Sequence, residues 1–209
     1  MHSQSPGDQD PRTTGSGAAK LARRDQLLTA RNRRPLAEVA DAGAAIARHL
    51  LASPPVRRAA TVTAYVSIGT EPGTGLLLDE LVAAGKRVLL PVVLPDLDLD
   101  WAAYAGPGSL APARMGLLEP VGPRLGVDAV ATADAVLVPG LAVSPDGVRL
   151  GRGGGCYDRT LGRVPVGTFT CVLLYDDEVG VPVPVEPHDR PVLAAASPAG
   201  ITALGRAGG

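Results

Sequence analysis

Residues 134–161, DAVLVPGLAVSPDGVRLGRGGGCYDRTL, set the narrowest limits on what this chain can become. The apolar run 135–138 reads as a buried strand. Pro139 and Gly140 end it. Ser144-Pro145-Asp146-Gly147 then has the chemistry of a type I turn, with proline presetting φ and glycine at the fourth position. Arg149 to Gly155 places four glycines and two arginines within seven residues, which is poor material for a core. Glycine lets backbone N–H groups turn toward an anion, and arginine adds a fixed, forked positive charge. Residues 156–161 read as the opening of a helix, whose N-terminus also favours negative charge. The direct reading is a phosphate site, and the alternative at this level is a glycine-rich surface loop. The two usual phosphate motifs are absent. No G-x-x-x-x-G-K-[ST] occurs, and Gly151, Gly153 and Cys156 miss G-x-G-x-x-G at its last position.

Around this stretch, strand patterns alternate with helical ones. Residues 1–17 are polar and rich in Ser, Gly, Pro, Asp and Gln, and are expected to form a disordered tail. A helix pattern starts near 18, with Leu21, Leu27 and Leu28 sharing a face among basic residues. Lys20 and Arg24 lie four apart and so are neighbours on that helix, on what composition alone reads as a solvated basic face. Residues 36–51 predict a second helix, ended by Ser53-Pro54-Pro55. Residues 61–67 alternate and are β-branched, predicting a strand that leads into a loop carrying Glu71 and then a helix over 75–84. Residues 87–93 predict another strand, and 97–104, with Trp101, an edge strand or loop. Met115, in MGLLEP, reads as core filler. Residues 120–131 are loop-like, 167–175 predict a strand, and the two prolines in 181–185 exclude a central strand. A last short strand is expected over 192–197, followed by a flexible tail at 201–209. The alternation argues an α/β domain over 18–200 with a mainly parallel sheet.

Composition narrows the class. The 209 residues suffice for one sizeable core, and the net charge of −1 gives no broad basic surface for DNA or RNA. His2, His49 and His188 are scattered and form no zinc pattern. The two cysteines, Cys156 and Cys171, suit reduced cytosolic thiols. No apolar run reaches transmembrane length, and the N-terminus has no apolar signal core. The default is a cytoplasmic enzyme or binding protein without nucleic-acid or membrane partners.

The string VPGLA, with DGVRLGRGGGCYDR shortly after it, resembles the signature of the 5-formyltetrahydrofolate cyclo-ligase family, also called methenyltetrahydrofolate synthetases. Fainter matches extend the resemblance from about residue 20 to 198. It implies a Rossmann-like sheet of the sugar-isomerase and CoA-transferase type, and a monomer. It implies ATP as co-substrate, Mg2+, and a 5-formyltetrahydrofolate substrate with one or more glutamyl units. The family opens with K-x-x-x-R, whose Lys and Arg contact ATP phosphates, and Lys20 and Arg24 stand there. Arg149, Leu150, Gly151, Arg152, Gly153, Gly154, Gly155, Cys156 and Tyr157 match the nucleotide loop, and residues 152–156 of it also face the folate. Glu71 and Val66, five before it, match folate-binding positions, while Asp158 and Asp189 match the magnesium ligands. Arg152 and Asp158 are the catalytic candidates. Alone, an Asp in a proline-rich segment such as that of Asp189 is more often a turn residue, and Asp158 can pair with Arg159 or cap the helix.

The implied reaction is ATP-driven ring closure. The formyl oxygen attacks the γ-phosphate, the anilino nitrogen attacks the activated carbon, and phosphate departs to leave 5,10-methenyltetrahydrofolate. Two other readings stand beside it: a non-catalytic nucleotide or folate binder, and a sugar-phosphate isomerase on a similar fold. One position departs from the family pattern. Many relatives read G-Y-Y-D where this chain has Gly155-Cys156-Tyr157-Asp158. Cysteine offers no aromatic face for stacking, and between arginines at a helix N-terminus it can be a reactive thiolate or simply a small apolar residue.

Overall fold

A computed structural model describes residues 11–186 and 189–205, with the backbone alone described for 11–16. In chain order, three helices come first: α1 (Pro11–Arg31), α2 (Leu36–Ala52) and α3 (Pro54–Arg58). The strand β1 (Thr61–Thr63) leads through a long loop to α4 (Gly75–Ala83), then β2 (Arg87–Val93) and β3 (Leu99–Tyr104). A small hairpin, β4 (Leu110–Pro112) and β5 (Leu118–Pro120), precedes β6 (Ala135–Pro139). A second hairpin, β7 (Ala142–Val143) and β8 (Arg149–Leu150), leads to α5 (Cys156–Arg163), β9 (Phe169–Leu173), β10 (Ala194–Ser197) and β11 (Gly200–Ala203).

Seven strands form the main sheet in the order β11-β10-β9-β6-β1-β2-β3. The inner pairs β10-β9, β9-β6, β6-β1 and β1-β2 are parallel, and the two edge strands β3 and β11 are antiparallel. The expected mainly parallel α/β sheet is therefore present. Alternation along each strand sends side chains to opposite faces. Val62, Val88, Leu90, Leu137 and Cys171 pack against Ile46 and Leu50 of α2 and Leu77, Leu78 and Leu81 of α4. Leu89, Val136, Val138 and Val172 pack on the other face with Trp101, Val130 and Leu161. A third cluster fastens α1: Leu27 meets Leu141, Ala142, Val148, Leu150 and Val183.

The chain leaves β1 toward β2 and β3, then returns to lay β6 on the other side of β1. The boundary between β1 and β6 is thus the point where strand order reverses, and the crevice at the carboxyl ends of such strands is where open α/β sheets bind ligands. The loop after β1 and the loop after β6 both leave from there.

Several expectations are corrected. The strand expected over 61–67 stops at Thr63, because side chains replace the ladder. Thr74 Oγ1 donates to the Tyr65 carbonyl at 2.8 Å and accepts from Ser67 N–H at 2.9 Å, while Thr74 N–H donates to Ser67 Oγ at 3.1 Å. This folds 64–74 into a closed loop. Helix α1 already includes Pro11, the first described residue, rather than starting near 18. Extending a helix already nucleated by 18–31 fixes only one residue per bond. Residues 1–10 of the expected tail, and 206–209, lie outside the described residues. Within the expected C-terminal tail, β11 pairs with β10 instead, Ser197 facing Gly200 across a tight reversal where Gly200 has φ +141°. Residues 127–132 form a 3-10 turn, not loop. Met115 is not core: it is 68% exposed at the tip between β4 and β5, with φ +57° and Gly116 at +72° turning the chain so that its side chain leaves the interior. Among the described residues no helix is long and apolar enough to cross a membrane.

Candidate functional site

The glycine loop takes its shape from α5 at one end and Arg149 beneath it. Gly155 adopts a left-handed backbone, φ +67°, immediately before α5, a conformation costly for any residue with a Cβ. A Cβ at Gly151 would lie 2.5 Å from Arg149 Nη1, so a larger residue there would have to displace that guanidinium. The loop therefore passes close over the Arg149 guanidinium. That side chain is buried, donating to Asp158 Oδ1 at 3.1 Å and to the Pro139 carbonyl at 3.2 Å, with its guanidinium 5.7 Å from the centre of the Tyr157 ring. Arg152 differs. It is half-exposed, and its Nε donates to Glu71 Oε1 at 3.1 Å, joining the glycine loop after β8 to the loop after β1. Glu71 is itself buried, its Oε2 accepting from Ile68 N–H at 3.0 Å.

Helix α1 closes the site from above. Arg24 Nε donates to the Gly151 carbonyl at 2.9 Å. Lys20, 3% exposed, donates to Glu186 Oε2 at 2.7 Å and to both carboxylate oxygens of Asp189 at 2.8 and 2.9 Å. Asp189 Oδ2 also accepts from Glu186 N–H at 2.7 Å. So Lys20 and Arg24 are not on a solvated face; they pin α1 to Glu186 and Asp189 and to the glycine loop.

These residues share one cavity of about 720 Å3, within the usual size for small-molecule sites. Every sequence-selected residue lines it: Lys20, Arg24, Val66, Glu71, the loop from Arg149 through Tyr157, Asp158 and Asp189. The lining also includes apolar residues, among them Pro91, Val93, Leu97, Leu99, Leu117 and Leu118. The cavity thus combines cations and the glycine loop with an apolar surface.

Residues 16–198 match the profile of the 5-formyltetrahydrofolate cyclo-ligase family. The chain belongs to this family. It is 42% identical over 189 residues to the 5-formyltetrahydrofolate cyclo-ligase of Mycolicibacterium smegmatis, covering 87% of this chain and 97% of that one. It is 34% identical to the Escherichia coli K12 enzyme of the same name over 75% of this chain and 87% of that one. Among solved structures it is similar to the NMR structure of Aquifex aeolicus 5,10-methenyltetrahydrofolate synthetase, with a TM-score of 0.78 and 26% identity over 91% of this chain and 95% of that one.

Within this cyclo-ligase site, burial controls protonation. It pushes the Tyr157 phenol far above its ordinary value, reinforced by the Glu71 carboxylate, so Tyr157 stays a neutral donor. It also pushes the Cys156 thiol up, outweighing the opposing pull of Arg159 and Arg149. That shift runs against the thiolate reading of Cys156. The hard oxygens of Asp158, Asp189 and Glu186 line the cavity, but no cluster of three or more His, Cys, Asp or Glu side chains able to hold a metal occurs among the described residues. That donor set fits magnesium, which commonly takes one or two carboxylates and completes its shell with phosphate oxygens and water.

Sequence reasoning missed Tyr65, Ile68, Pro139, Gly140 and Glu186, all of which line the cavity. Glu186 was adjacent to a selected segment and its acidic side chain was a signal. Tyr65 and Ile68 carried none, because a strand that is expected to continue hides which residues have left the sheet.

Proposed function

We propose that this cyclo-ligase uses ATP to close 5-formyltetrahydrofolate to 5,10-methenyltetrahydrofolate, releasing ADP and phosphate. The observation that carries this reading is the Arg152–Glu71 contact of 3.1 Å, which brings a phosphate-binding loop against a buried carboxylate suited to a heterocycle's N–H donors. The reaction needs that adjacency, because the formyl oxygen must reach the γ-phosphorus. Bond formation there expels ADP. The anilino nitrogen then attacks the formyl carbon and gives up its proton to solvent, and the oxygen leaves as phosphate.

The chain's contribution is to position reactants and stabilise charge. Backbone N–H groups of residues 151–155, with Lys20 and Arg24, hold the triphosphate. Arg152 follows the transferring phosphoryl group, since it is the exposed arginine of the loop. Arg149 acts from below by fixing Asp158 and Tyr157. Asp158 and Asp189 would hold Mg2+, which supplies charge neutralisation for the phosphates. Glu71 orients the folate, and Val66 packs beside it. We place the enzyme in the cytoplasm as a monomer.

The test mixes protein, ATP, magnesium and 5-formyltetrahydrofolate and tracks methenyl absorbance together with ADP. Equal production of both is expected. Folate binding without ATP consumption would support a non-catalytic binder, and turnover of a sugar phosphate without ATP would support an isomerase.

A further inference from the structure

The cavity wall carries a polar group that the proposed reaction leaves without a role. Tyr65, just beyond the end of β1, lines the cavity and is 4% exposed. Its hydroxyl oxygen is buried without a hydrogen-bond partner among the described residues. Its backbone carbonyl is satisfied by Thr74 Oγ1 at 2.8 Å, so the loop is held independently of the phenol. A buried hydroxyl without a partner is costly and uncommon. Glu71, whose oxygens accept from Ile68 N–H and from Arg152, makes no hydrogen bond with it. Burial and the Glu71 charge keep the phenol protonated, and the Arg31 guanidinium, the Tyr157 phenol and the Cys171 thiol also act on it. Tyr65, which lines the same cavity as Glu71, thus holds a neutral donor with no group among the described residues to receive its hydrogen.

We infer that Tyr65 is a substrate-binding residue whose hydroxyl donates to an acceptor oxygen or nitrogen of the folate heterocycle beside Glu71. The two groups are complementary: the carboxylate takes ring N–H donors, and the phenol supplies the donor that a ring carbonyl or imine nitrogen requires. Discrimination results, because a ring lacking that acceptor would leave the hydroxyl unsatisfied in the complex as well. This inference rests on the cyclo-ligase reading for the identity of the ring.

Tyr65→Phe removes one oxygen and keeps the ring in its packing. The Kd for 5-formyltetrahydrofolate, measured by calorimetry without ATP, is expected to weaken about tenfold, and its KM to rise alike. The KM for ATP and kcat should stay within about twofold, and the melting temperature of the ligand-free protein should hold or rise, since an unsatisfied group has been removed. A variant with wild-type folate Kd and KM overturns the inference, and so does one that melts lower with folate binding unchanged. If wild type binds folate in a Tyr65-sensitive way but shows no turnover, the catalytic reading fails and Tyr65 stands. If wild type binds no folate, both fail.

Discussion

Lys20 Nζ lies 2.8 and 2.9 Å from the two carboxylate oxygens of Asp189, although the two residues are 169 apart in sequence. One is the proposed phosphate contact and the other the proposed metal ligand. Cations and acids of the cavity pair with each other: Lys20 with Asp189 and Glu186, Arg149 with Asp158, Arg152 with Glu71. Under the proposed function, a magnesium-bound triphosphate would match both members of the Lys20–Asp189 pair, its oxygens taking the acid's place beside Lys20 and its metal the cation's place beside Asp189. Binding would then exchange that ion pair, and loss of one half should be felt on its own ligand.

Lys20→Ala is expected to raise the KM for ATP about tenfold while moving that for folate much less. Asp189→Asn is expected to raise the magnesium concentration needed for half-maximal rate. Steady-state kinetics with each component varied separates the two. A lower melting temperature with unchanged KM for ATP would make the pair purely structural.

Asp158→Asn keeps the shape of the side chain but removes its charge beside Arg149. Most turnover should be lost, with only a small fall in melting temperature. Unchanged activity at limiting magnesium would remove Asp158 from the metal site, and a large stability loss would assign it to the fold.

Arg31 is fully buried and donates to both oxygens of Glu178 at 2.7 Å and to the Gly140 carbonyl at 2.7 Å. It fastens α1, and so Lys20 and Arg24, to the start of the loop after β6. Removing one member of a buried pair strands the other charge, which costs about 3–5 kcal/mol. Arg31→Met should lose that much by chemical denaturation, and Arg31→Met combined with Glu178→Leu should recover more than half.

Asp98 shows the acid limb of stability. Hydrogen bonds from Arg163 at 2.9 and 2.6 Å hold its carboxylate below the usual range, ahead of the opposing effect of burial. A carboxylate lowered in the folded state contributes fully above its unfolded value of about 3.9, and that contribution disappears as pH falls through the lowered folded value. Melting temperature should fall below about pH 4 in wild type, and Asp98→Asn should flatten part of that fall while melting lower at neutral pH. Identical pH curves for the two proteins would count against this pair.

Cys156 should behave as a packing residue. Because burial raises its thiol and pushes Cys171 up to about 12, alkylation by iodoacetamide at neutral pH should be slower than for an ordinary thiol of pKa about 8.5. Cys156→Ser should leave kcat within about twofold, and Cys156→Tyr should keep kcat within several-fold while changing a ligand's KM. A large kcat loss in the serine variant would give the thiol a chemical role.

Much of this protein was legible in the chain itself. The β6 strand, the turn at Ser144–Gly147, the glycine loop and the start of α5 come from local rules: apolar alternation, turn chemistry and positions that tolerate only glycine. The parallel sheet came from strands alternating with helices. Those signals are local, so one sequence carries them. The tertiary structure decided what local rules do not encode. Strand order placed the β1 and β6 loops at one reversal point, and that alone set Glu71 against Arg152, 81 residues apart. It turned a basic helix face inward by offering Asp189 and Glu186 as partners, and it ended β1 early because Ser67 and Thr74 satisfied the backbone better than another strand would. It left the Tyr65 hydroxyl beside the cavity with no partner among the described residues. In each case the deciding energy comes from groups distant in sequence, whose meeting depends on the whole packing of the sheet.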